Sequence, residues 1–174
     1  MLTDKRIKEA KDNVRVYLSD GLLSKASFDK QVFNVLENNA NESLNVAEIL
    51  YKGRYSWLWV IVTSYYSMYY IANAVLLKLG YKVGEKISHK VTADSLITLV
   101  RDKLEESLLE EYEEMQKEAL AGIKADELMQ AFDYEREKRG IFQYRTNESA
   151  KEAKAKTSLE RAKEFVIEMK KLVA

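Results

Sequence analysis

"SWLWVIVTSYYSMYYIANAVLL", residues 56–77, carries no charged side chain from end to end. As a helix it spans about 33 Å, long enough to cross a bilayer. Its polar content points elsewhere. Thr63, Ser64, Ser67, Asn73 and four tyrosines run through its middle, where a lipid-facing helix carries Leu, Ile and Val. The reading that fits is a central helix surrounded by other helices, so no membrane association is expected. Tyr65, Tyr66, Tyr69 and Tyr70 fall on one broad face of it. Such a face serves as core or dimer interface, or, more sharply, as a platform for stacking bases.

Periodic segments continue on both sides. Toward the N-terminus, Thr3 suits an N-cap, and Ile7, Ala10, Val14, Tyr17 and Leu18 recur at helical spacing up to Asp20-Gly21. A second helix is expected from near Ser27 to Lys52, with Phe28, Val32, Leu36, Ala40, Leu44, Ala47 and Tyr51 as its apolar stripe. Asn38, Asn39 and Asn41 weaken it locally. Toward the C-terminus comes a loop with Gly80 and Gly84. A fourth helix follows, with Ser88 as N-cap and Leu96, Leu99, Val100 and Leu104 as its stripe. Residues 105–122 are strongly acidic, with a partial apolar face at Leu108, Leu109, Tyr112, Met115 and Leu120, and read as an exposed helix or hairpin arm whose acids form a solvated face. Another helix is expected over 124–139, closed by Gly140. The last starts at Ser149, where Ser149 and Glu152 fit a capping box, and its stripe is Leu159, Ala162, Phe165, Val166, Met169 and Val173.

Proline is absent and only six glycines occur, too little turn punctuation for an all-β chain. The fold class is therefore all-α: one antiparallel bundle of five to six helices over residues 1–174. Residues 1–26 form an extra N-terminal helix and 105–122 an acidic helical insertion. Cysteine is absent, which removes disulfides, thiol nucleophiles and Cys-based zinc sites. His89 is the one histidine, so a multi-histidine metal site within one chain is excluded. A carboxylate site stays open by residue content, but no metal or cofactor is expected. Formal net charge is zero, so any nucleic-acid binding must come from a local patch. The charged start "MLTDKRIKEA" is no signal peptide, and a cytoplasmic location is expected.

"EREKRGIFQYRTNES", residues 135–149, reads as the end of one helix, a short connection and the start of another. It places Arg139 five positions ahead of Tyr144. Arg136 and Arg139 can pair with Asp133, Glu135 or helix-end carbonyls, with Tyr144 as a loop anchor. They can equally hold a phosphate, which guanidinium matches bidentately. His89, at a helix start, reads as a packing residue or as an isolated general base.

Taken together these segments resemble the HEPN superfamily of small helical proteins. "SYYSMYYIANAVLLKLG" is similar to its central helix and "SHKVTADSLITLV" to the segment after its loop. "YEREKRGIFQY" is similar to its arginine-bearing helix end, and "AKTSLERAKEFVIEMKKLV" to its closing helix. The resemblance covers roughly residues 28–174. It implies a homodimer, nucleotide or RNA binding, and a minimal nucleotidyltransferase as partner in a toxin–antitoxin-type pair. Active members are metal-independent endoribonucleases that carry an arginine and, a few residues on, a histidine, with two such motifs meeting across the dimer axis. Here Tyr144 stands in the histidine's place, and a tyrosine, with a reference pKa of about 10, is a poor base at neutral pH. Thr146 stands where the family places a tyrosine that the nucleotidyltransferase modifies. The implied reading is a non-catalytic or weakly catalytic domain that binds through Arg136, Arg139, Tyr144, Arg145 and His89. One alternative is an endoribonuclease using Arg139 with Tyr144, or His89, for proton transfer. The other is a structural adaptor whose acidic segment meets a basic partner.

Overall fold

The computed structural model describes residues 2–136 and 148–173, with side chains described outside 125–136 and 148–150. Among the described residues the chain forms six α-helices: α1 Asp4–Ser19, α2 Lys30–Lys52, α3 Trp57–Lys78, α4 Ser88–Leu99, α5 Glu106–Arg136 and α6 Glu148–Lys171. The all-α reading therefore holds. The uncharged segment is α3, the axis of the molecule. It packs against α2, α4, α5 and α6, and Tyr65, Met68, Ile71, Ala72 and Leu76 are fully buried along it. It is the one described helix long and apolar enough to cross a membrane, and most of it lies inside the protein. Burial among neighbouring helices explains both its lack of charge and its scattered hydroxyls.

Helix α6 runs antiparallel to α2. Lys170 donates to Asn41 at 2.7 Å, Lys163 pairs with Glu48 at 2.8 Å, and Glu152 pairs with Arg54 at 2.7 Å. The order along one helix reverses that along the other. The same comparison corrects the expected stripe of α2. The residues that meet the core are Phe33, Leu36, Ala40, Leu44 and Ala47, whereas Phe28 and Val32 are exposed. Both sides of this helix carry apolar residues, so the expected stripe holds from Leu36 to Tyr51 and departs from the core only at Phe28 and Val32. The helix begins at Lys30 rather than near Ser27, because the Asp29 carboxylate accepts from the free N–H groups of Gln31 and Val32.

The acidic segment is no separate arm. It continues into the next helix as α5, without a break at Gly122. Leu108, Leu109, Tyr112, Met115 and Ala119 form a buried face, with Tyr112 stacked near Phe165 of α6 at 5.3 Å between ring centres. Its acids are met by cations of the same chain. Arg161 pairs with Glu114 at 2.8 Å and Lys154 with Glu118 at 2.9 Å, while Glu113 accepts from Arg6. A basic partner would find much of this face already neutralised, which weakens the adaptor reading.

A short ribbon was not legible as strand. Leu23–Lys25 (β1) pairs antiparallel with Tyr81–Val83 (β2), Leu23 opposite Val83. Gly80, at φ +85°, allows the sharp turn from α3 into β2. The ribbon ties the α1–α2 connection to the α3–α4 connection, and buried Leu23 packs with Val14, Tyr17 and Val91 beneath it.

Candidate functional site

Of the expected site residues, His89 alone lies where its side chain is described. Arg139, Tyr144 and Arg145 lie outside the described residues. Arg136 ends α5, and its side chain also falls outside them. The structure thus builds one part of the site, where α3 meets the start of α4.

Ser88 is not the N-cap of α4 as expected. It is the first helical residue, and the cap position falls on Ile87, in the left-handed region at φ 44° with no side-chain cap bond. A β-branched residue there is strained, by about 1–2 kcal/mol. Asparagine tolerates this backbone, so Ile87→Asn is expected to stabilise the fold by about 1 kcal/mol, read as a rise in Tm. The tight turn delivers His89 onto the tyrosine face of α3.

There the half-buried imidazole lies 4.6 Å from the Tyr69 ring between centres, with Tyr65 and Tyr66 at 5.5 and 5.8 Å. Its Nδ1 is 2.7 Å from the Tyr65 hydroxyl, a hydrogen bond that orients the ring. Nδ1 being engaged, Nε2 is the ring atom left for a ligand. Beneath it, the fully buried Tyr112 ring sits 5.8 Å from Tyr65. The Tyr112 hydroxyl forms no well-aligned hydrogen bond among the described residues, yet lies close enough to ease ionisation of Tyr65. Burial, the larger effect, pushes the Tyr65 hydroxyl well above its ordinary value, so it stays protonated at any physiological pH. Tyr66, Tyr69 and Tyr70 are half-buried, and their hydroxyls bond to no other described residue. The site is therefore an aromatic surface with an oriented imidazole and three hydroxyls at its edge.

Burial also lowers the His89 pKa below its ordinary 6.5. The unfolded chain then takes up a proton at a higher pH than the folded one. The stability this confers is complete above the unfolded value and is lost as pH falls from about 6.5 toward the lowered folded value. We expect Tm to fall across that mildly acidic window, and His89→Gln to flatten the dependence.

Among the described residues no cluster of acids and histidine is arranged to hold a metal ion. The Tyr65–His89 bond joins residues far apart in sequence, and only the tyrosine spacing hinted at it.

A family model for the HEPN domain matches residues 34–172, and the chain belongs to that family. This places it among proteins with nucleotide- or RNA-related roles. No curated protein and no solved structure matches the chain. The match begins within α2, so α1 and the first strand of the ribbon lie outside it.

Proposed function

We propose that this chain is a HEPN-type nucleotide- or RNA-binding protein that binds without efficient cleavage. The observation that carries this reading is the His89 surface. It offers tilted aromatic rings, an imidazole edge and tyrosine hydroxyls that bond to no other described residue. Rings of this kind stack on bases of any sequence. The sequence adds a cation for phosphate, since Arg136, Arg139 and Arg145 cluster around Tyr144 within the family match. Tyr144 in place of a histidine leaves that segment without a base suited to neutral pH. In this reading the protein works as a homodimer in the cytoplasm, beside a minimal nucleotidyltransferase in a toxin–antitoxin-type pair.

The endoribonuclease reading has one observation in its favour. Burial lowers the His89 pKa and so favours the neutral imidazole, and the Tyr65 bond orients the ring through Nδ1; with the ring proton on Nδ1, Nε2 can act as a general base.

The test is a titration of labelled single-stranded RNA at several salt concentrations. Arg139→Glu is expected to weaken binding severalfold and to lower the salt dependence by at least about one unit of slope. Equal affinity and slope in the variant would remove Arg139 from the binding surface.

A further inference from the structure

The Tyr65–His89 bond has a direction, and the buried groups behind it decide which. Tyr65 of α3 is fully buried, so water does not take up its hydroxyl hydrogen. Among the described residues its one well-aligned hydrogen bond is to Nδ1 of His89, at 2.7 Å. A neutral imidazole carries one proton, on Nδ1 or on Nε2, and the nitrogen without it is an acceptor. If Tyr65 donates, Nδ1 is that acceptor and the proton sits on Nε2. If instead Nδ1–H donates, the Tyr65 hydrogen must find another oxygen.

The core behind Tyr65 supplies none that closes the account. Tyr112 of α5 is 1% exposed, and its ring stands between Tyr65, at 5.8 Å, and Phe165 of α6, at 5.3 Å. Should Tyr65 pass its hydrogen to the Tyr112 oxygen, the Tyr112 hydrogen is left over in turn. In the reversed order one buried donor is therefore always orphaned. With Tyr65 donating to Nδ1, the Tyr112 hydrogen can face the Tyr65 oxygen, and only acceptor capacity goes unused. Buried groups tolerate a spare lone pair better than a spare hydrogen. The electrostatics agree. Burial raises the Tyr65 hydroxyl, and against it the contact with Tyr112 eases its ionisation, as a hydrogen turned toward that oxygen does. An orphaned buried donor weighs against a state by about 5- to 150-fold.

We propose that Tyr65 is a positioning residue that holds His89 with its proton on Nε2, so that the free edge of the ring is a hydrogen-bond donor. Among the described residues no other side chain bonds to the imidazole and opposes this order. The inference rests on the reading of the His89 surface as the ligand site, and it sharpens what that site accepts. Nε2–H has no lone pair with which to take a proton from a 2′-hydroxyl. General-base chemistry at Nε2 requires the opposite tautomer, which the buried tyrosines disfavour. The ligand must instead bring an acceptor: a carbonyl oxygen or ring nitrogen on the edge of a stacked base, or a phosphate oxygen. Binding without cleavage then has a cause in the described core that is independent of the change at Tyr144.

His89 is the only histidine, so its ring nitrogens give one pair of signals. Nitrogen-15 spectra of the full chain at about pH 8, where the lowered pKa leaves the ring neutral, are expected to place the proton on Nε2 over Nδ1 by at least about 5 to 1. The Tyr65 hydroxyl proton is expected to show a coupling across the bond to Nδ1. Tyr65→Phe opens a space that one water can fill, and water donates or accepts equally well. The ratio should then fall by about 2- to 10-fold. A proton on Nδ1 in the wild type, or an unchanged ratio in Tyr65→Phe, would overturn the proposal, and the wild-type coupling decides the direction even if the variant does not fold. Uridine 5′-monophosphate is expected to shift the Nε2–H signal while the proton stays in place. The same shift with uridine names the base edge as the acceptor, and the same shift with inorganic phosphate names the phosphate. No shift with any of the three, in a protein that binds RNA, would overturn the acceptor site. A proton on Nε2 in a protein that binds no RNA would leave the tautomer standing and the binding reading fallen.

Discussion

Asp94→Ala is expected to destabilise the fold by about 3–5 kcal/mol, the cost of stripping one partner from a buried charged pair. The Asp94 carboxylate is fully buried on α4, and three groups from α1 converge on it. Arg6 donates at 2.6 Å, the Tyr17 hydroxyl at 2.8 Å and the Asn13 amide at 3.0 Å. Arg6 also reaches Glu113 of α5 at 2.7 Å, so one guanidinium joins three helices. Burial, and then the bond to Asp94, push the Tyr17 hydroxyl far above its ordinary value. Removing the carboxylate leaves a cation, a hydroxyl and an amide facing one another. A domain of this kind has a total stability of about 5–15 kcal/mol, so the loss is a large fraction of it. The loss should also be uneven. Helix α1 lies outside the family match and is held by this cluster, by the ribbon and by Val14 and Tyr17 against Leu23. Amide exchange in Asp94→Ala should therefore rise in α1 before it rises in α3. Asp94→Asn, which keeps the shape and one acceptor, should cost less. A variant with wild-type Tm and protected α1 amides would show that the cluster is surface decoration.

Tyr69→Ala is expected to weaken RNA binding by about 5- to 150-fold, the equivalent of the 1–3 kcal/mol that one base–aromatic stack contributes. Tyr69 is the ring closest to His89, and it also lies 5.7 Å from Tyr70, tilted by 60°. Two controls separate binding from packing. Tyr69→Phe keeps the ring and should retain most of the affinity. A melting curve of Tyr69→Ala reports any loss of core contacts, because the ring also touches the main core. Loss of affinity in Tyr69→Phe equal to that in Tyr69→Ala would assign the effect to the hydroxyl instead.

Much of the fold was legible in the sequence because single helices announce themselves. The uncharged run of α3, the Gly21 and Gly53 stops and the stripe of α6 each follow from local rules. Failures came where two signals overlapped. In α2, core and outer stripes are both apolar, and Phe28 and Val32 were drawn into the wrong one. In α5, the apolar face at Leu108, Leu109, Tyr112 and Met115 was legible, but the abundance of acid made the segment read as an exposed arm, because the cations of α1 and α6 that match those charges lie far away in sequence. The ribbon of three-residue strands carries too little pattern to register. Asp94 was invisible for a different reason. Its meaning lies wholly in partners 77 to 88 positions away, which no local spacing encodes. Of the site, His89 and the tyrosines were readable as residues, while the Tyr65–His89 bond needed the fold.

The central claim is that this HEPN domain binds RNA without efficient cleavage. Its most direct test is one titration of a labelled, mixed-sequence single-stranded RNA with the wild-type protein in EDTA, read twice. Anisotropy gives the bound fraction, and a denaturing gel of the same samples gives the intact fraction. The account predicts saturable, salt-sensitive binding with the RNA recovered whole. RNA that is never bound at low salt, or that is cut as fast as it binds, would contradict it.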